Sequence, residues 1–176
     1  MQALQIEAEL ILAWASMGLQ CRTCTYLAKR NRCMKKPFVM QRRVELVDTD
    51  MAGIVHFSAF FRYVETAEHE FFRSLGLSII SQLKERQLGW PRVSCDFEFI
   101  KPLRFGDVFE VHLSVKRIGK SSITYEACIV KEGTILARGH STSVCCVIGA
   151  ESRLCPVDIP SDVDGKLRPY LTVELG

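Results

Sequence analysis

Apolar residues at Phe60, Val64, Ala67, Phe71 and Leu75 recur at steps of three and four, the spacing of one face of an α-helix. Arg62, Glu65, Glu68 and His69 fall on the opposite side of that pattern. Ser58 is a good N-cap residue and Gly76 a good terminator, so the spacing predicts a helix from Ala59 to Leu75. Ahead of it, "VMQRRVELVD" reads as a strand with Val44 and Leu46 on one face. Behind it the period falls to two. Val93, Cys95, Phe97 and Phe99 alternate with polar residues, as do Val111, Leu113 and Val115, and then Ile123, Tyr125, Ala127 and Ile129. Gly119-Lys120 and Glu132-Gly133 mark the turns between these runs, and "ILARGHSTSVCCVI" reads as a last long strand with Gly139 as a candidate bulge.

A meander with its apolar positions on one face must bury that face, and the aromatic helix is the long element available to fill it. The predicted fold class is α+β: one curved antiparallel sheet wrapped around one long helix. From Ala150 onward the periodicity fades and three prolines appear, which predicts an extended tail lying over the surface. No internal repeat interrupts this order.

Composition narrows the function classes. Hydrophobic residues make up 48% of the 176 positions and charged ones 24%, a globular balance that argues against wholesale disorder. The net charge of +3, without Lys/Arg runs interleaved with aromatics, sets nucleic acid aside as a partner. No apolar run reaches the roughly 18 residues of a membrane span. The start, "ALQIEAELILAWASMGLQ", lacks a basic n-region and is interrupted by Glu7 and Glu9, so it does not read as a signal peptide. A short amphipathic helix and a start-site artefact both remain open for it. Of the eight cysteines, Cys95, Cys128, Cys145 and Cys146 fall in apolar strand-like segments and, without an export signal, read as reduced thiols in a cytoplasmic protein. Cys21, Cys24 and Cys33 lack the fourth ligand that structural zinc wants, so no metal is expected there.

The candidate chemistry lies in "VDTDMAGIVHF", an acidic turn directly ahead of the helix. An aspartate in such a place is most often a turn or cap former. The wider stretch "DTDMAGIVHFSAFFRYVETAEHEFF", with "FEFIKPLRFGDVFEV" and "ARGHSTSVCCV" further on, resembles the hot-dog fold thioesterases of the 4-hydroxybenzoyl-CoA thioesterase and YbgC-like group. The resemblance runs over residues 38–150, and three segments in order make it strong. Ala59-Phe60 stand where many relatives carry Asn-Tyr, so any polar role of those side chains is absent here. Residues 1–36 have no counterpart and are read as an extension of unknown role, 37–150 as the hot-dog domain, and 151–176 as a tail packing on it.

The resemblance implies hydrolysis of an acyl- or aroyl-CoA thioester without a metal or redox cofactor. It assigns Asp50 as nucleophile or general base, the backbone N–H of Phe57 as oxyanion donor, and Gly53 as the residue letting the loop come close. Asp48 lacks a family match and reads as satisfying turn amides. His56 and Ser58 are candidates for substrate contact, as is Glu65, whose alternatives are a supporting or inter-subunit role. Lys101 and Arg104, and more weakly Lys116, Arg117 and Lys120, are candidates for the CoA phosphates, against the plain reading of a solvated charged face. The family implies a homodimer or homotetramer with the site between subunits, a reading that open sheet edges favour independently. A non-catalytic acyl-CoA-binding module on the same scaffold is the alternative; a hot-dog dehydratase fits worse, because its His-and-acid motif is not found.

Overall fold

The computed structural model describes residues 37–83, 86–149 and 153–172, and the cysteine motif of residues 21–33 lies outside them. β1 (Phe38–Arg43) leads through a 3-10 turn (Leu46–Asp48) and a loop into α1 (Phe57–Ser74). A short hairpin follows, β2 (Ser81–Leu83) and β3 (Arg86–Gly89), and then β4 (Arg92–Phe99), β5 (Val108–Ile118), β6 (Ser122–Lys131) and β7 (Thr134–Val144). β8 (Cys146–Ile148), β9 (Leu154–Pro156), α2 (Ser161–Leu167) and a 3-10 turn (Arg168–Tyr170) follow. The large sheet is antiparallel in the order β1-β5-β6-β7-β4, and a small sheet runs β2-β3-β8-β9.

The alternation read from the sequence is the alternation that packs. Val111, Leu113, Val115, Ile123, Tyr125, Ala127 and Ile129 are buried against α1, which contributes Phe60, Tyr63, Val64, Ala67, Phe71 and Phe72. Aromatic rings interlock along the helix: Phe60 meets Phe99 edge-on at 5.0 Å between centroids, and Tyr63 meets Phe109 at 4.8 Å.

Several expectations are corrected. The first strand stops at Arg43, and Leu46 is 70% exposed on the 3-10 turn rather than sharing the buried face of Val44. Glu68 is 4% exposed and not on the solvent side of the helix. Gly139 is not a bulge, since it pairs in register with both Phe97 and Ala127. The irregularity falls at Leu136, where Ile129 and Val130 pair with Ala137 and Ile135 and the intervening residue is extra. Gly139 answers a different need. A Cβ there would stand 1.9 Å from the Asp96 carbonyl oxygen on β4, and backbone cannot step aside cheaply. Gly139→Ala is therefore expected to lower stability by about 3 kcal/mol, read as a lower urea midpoint.

The long last strand is also broken, because buried Cys145 separates β7 from β8 and carries the chain from one sheet to the other. The tail is more than extended cover. Val163 and Leu167 of α2 join the core, and Leu171 pairs with Val115 at the point where β1 no longer covers β5.

Candidate active site

The acidic turn is built on Asp48. Its side chain is buried, accepting from the Glu45 N–H at 3.2 Å and from Arg62 Nη2 at 3.1 Å, while its carbonyl accepts from the His56 N–H at 2.8 Å. Burial raises its pKa, but the Tyr63 hydroxyl first, then the Glu45 N–H and Arg62, outweigh that and hold the carboxyl below its ordinary value. The Tyr63 hydroxyl is buried beside this carboxylate, without a partner in regular hydrogen-bond geometry. Burial first, and that carboxylate next, push the Tyr63 phenol far up.

Past Asp48 the loop folds as a small hairpin. Thr49 pairs with Val55, the Asp50 N–H donates to the Ile54 carbonyl at 3.0 Å, and the Val55 N–H donates to Leu103 at 2.8 Å. Asp50 is exposed, and its Oδ1 accepts from the Ala52 N–H at 2.8 Å. Gly53 has φ of +71°, a conformation other residues rarely adopt. Nothing of this chain lies within 4 Å of where its Cβ would be, so within the chain it is the turn that requires this glycine.

His56, not Ser58, is the N-cap of α1: it is extended, and its Nδ1 accepts from the Ser58 N–H at a long 3.4 Å. That nitrogen also lies 2.8 Å from the Ser58 hydroxyl, which donates to it if the imidazole proton is on Nε2. Both side chains thus spend polar atoms on each other. Phe57 opens the helix, and among the described residues its N–H has no hydrogen-bond partner. A free N–H there carries part of the helix dipole's positive end. The loop accordingly joins an exposed carboxylate to an unsatisfied helix-start donor, the pair of groups that attack on a carbonyl calls for.

The other candidates divide. Arg104 is exposed and pairs through its backbone with Ile54, which brings it beside the loop. Its turn is closed by Asp107, which accepts from the Arg104 N–H at 2.8 Å and from Lys131 at 2.7 Å. Lys101 is exposed near the end of β4. Lys116 lies 3.0 Å from His140, and Lys120 lies 3.6 Å from Asp158. Glu65 is not brought to Asp50 within one protomer: it stands eight residues beyond Phe57, about 12 Å along the helix.

Glu65 instead lines a cavity of about 160 Å³ with Glu68, His69, Phe72, Trp90, Arg92 and others. Sequence reasoning missed this feature. Arg92 grips Glu68 through two bonds of 2.9 Å and also bonds the Ser141 hydroxyl. The one available signal was that Glu68 sits four residues after Val64 and four before Phe72, on the apolar stripe itself. Arg92→Met leaves a buried carboxylate unpaired, and a loss of about 3 kcal/mol in urea unfolding is expected. Removing the charge as well, in Glu68→Leu/Arg92→Met, should recover most of it.

Known proteins match this architecture. The family model of the thioesterase-like superfamily matches residues 44–167. A hypothetical protein from Aquifex aeolicus superposes with a TM-score of 0.67 at 34% identity, over 74% of this chain and 99% of that one. A gentisyl-coenzyme A thioesterase superposes at 0.64 with 31% identity, over 73% and 98%. The 4-hydroxybenzoyl-CoA thioesterase of Pseudomonas sp. is 27% identical over 136 residues, 73% of this chain and 96% of that protein. With its curved sheet around α1 and this match along the folded region, the chain belongs to the thioesterase-like superfamily, has the hot-dog fold and is a thioester hydrolase.

Proposed function

We propose that this protein hydrolyses an acyl- or aroyl-CoA thioester to the free acid and CoA, with Asp50 as base or nucleophile and the Phe57 N–H as oxyanion donor. The observation that carries the reading is the pinned loop holding an exposed Asp50 carboxylate and an unpartnered helix-start N–H on one short segment. Acting as base, Asp50 takes a proton from water as the oxygen adds to the thioester carbonyl. The carbonyl oxygen gathers charge facing Phe57, and the C–S bond then breaks. The departing thiol has a pKa of about 8.5, so it leaves as thiolate with little help from a general acid. Acting as nucleophile, Asp50 instead forms an anhydride that water cleaves. Both routes need the same two groups.

The matched gentisyl- and 4-hydroxybenzoyl-CoA enzymes favour an aroyl group. Arg104, beside the loop, and Lys101 are the cations proposed for the CoA phosphates. The reading includes a homodimer or homotetramer with the site at the subunit contact. The rim of the loop supports that: Met51 is fully exposed and Phe57 is 60% exposed, apolar surface that a second copy would cover. The described cysteines are free thiols, which suits the cytoplasm.

The test is chromatographic detection of CoA and free acid from a panel of short, medium and long aliphatic acyl-CoAs with benzoyl- and hydroxybenzoyl-CoA. Release from at least one is expected, and highest from an aroyl member. Folded protein that turns over none of them overturns the reading.

A further inference from the structure

We propose that Asp48 is a positioning residue for Asp50, its buried carboxylate and Arg62 forming a clamp that holds the base of the loop to the helix carrying Phe57. The inference rests on Asp50 acting as proposed. Its ground is topological. The Asp48–Arg62 contact, 3.1 Å long, joins the arm entering the loop to the second turn of α1. Both reacting groups, Asp50 and the Phe57 N–H, lie inside the ring of chain which that contact closes.

A purely structural turn former has no need of this arrangement. An uncharged Asn or Ser could accept the Glu45 N–H just as well, and burying a carboxylate is costly unless it is paired. The partner chosen is neither local nor buried: Arg62 is 14 residues away and its side chain is 55% exposed, against 8% for Asp48. Tyr63, the next residue on α1, backs the carboxylate from the core side, and Arg42 lies over the Tyr63 ring at 5.5 Å. The Asp48 carbonyl, bonded to the His56 N–H, ties the same residue to the helix cap. The clamp thus restrains the start of the loop from two directions. Misplacing a reacting group by about 1 Å can cost on the order of a hundredfold in rate.

A double-mutant cycle with the acyl-CoA that turns over fastest tests this. Asp48→Asn is expected to lower kcat ten- to a hundredfold with KM within twofold, and to lower the residual rate of Asp50→Asn by less than twofold, because coupled sites are not additive. Arg62→Gln, on a half-exposed side chain whose amide can still donate to Asp48, should lower kcat three- to tenfold with the same loss of effect in the Asp50→Asn background. Arg62→Lys should restore at least half. Equal fold-losses in both backgrounds would mean general loosening and overturn the clamp, as would unchanged kcat in Asp48→Asn and Arg62→Gln. Should Asp48→Asn not fold, the Arg62 pair decides alone. An Asp50→Asn enzyme as active as the parent removes the reading itself and the clamp with it. An inactive Asp50→Asn beside fully active Asp48→Asn and Arg62→Gln removes only the clamp.

Discussion

Asp50→Asn is expected to bind acyl-CoA like the parent protein and to turn it over at least a hundredfold more slowly. The substitution is close to isosteric, and the amide oxygen of asparagine can still accept the Ala52 N–H that the carboxylate holds at 2.8 Å. The side chain is exposed, so neither the core nor a buried network registers the change. What disappears is the ability to take a proton or to attack, and a positioned general base contributes about 10²–10⁴ in rate. Binding measured calorimetrically, beside single-turnover rates, separates the two roles. Full turnover in this variant overturns the assignment of Asp50.

Phe57→Pro should be nearly as damaging to catalysis while sparing the fold. Proline lacks the N–H in question, and the first helical position is the one where a helix accepts proline best. His56, which would precede the proline, already has φ of −62° and ψ of 138°, inside the region a residue before proline prefers. The Phe57 ring is 60% exposed, so its loss costs little core packing. Removing a single oxyanion donor lowers kcat by about 10²–10³. Phe57→Ala, which removes the ring and keeps the N–H, is the control and should stay within about tenfold of the parent. Equal activity in the proline and alanine variants would exclude this N–H as the donor.

Residues of one sign and one period made most of the fold legible. The α1 stripe and the alternation in β4 to β7 are long enough for packing to enforce what the pattern shows. Short elements escaped. β2 and β3 span three and four residues with few apolar side chains, and α2 carries Gly165 inside a seven-residue helix, so pairing and docking decide them rather than propensity. Asp50, Gly53 and Phe57 are proposed through the family pattern alone, since nothing in periodicity separates a catalytic turn aspartate from a capping one. The folded chain adds that Gly53 has a positive φ, a demand of the turn that the pattern does not show. Arg92 and Glu68 were missed because their bond spans 24 residues, and a charge on an apolar stripe announces no partner. Asp48 was seen as a turn former, but its tie to Arg62 required the folded chain.

The two rims of the large sheet differ in a way that bears on aggregation. β1 presents Gln41, Arg42 and Arg43 over half its length, and Leu171–Thr172 occupies the place beside Val115 where β1 gives out. Cationic, short and partly capped, that rim discourages a neighbouring strand. β4 runs eight residues, shows Val93 at 61% exposure, and has no strand on its outer side among the described residues. With two equally receptive rims, copies would add end to end without limit. With only one, a two-fold pair uses up the reactive strand on both members, and growth stops there.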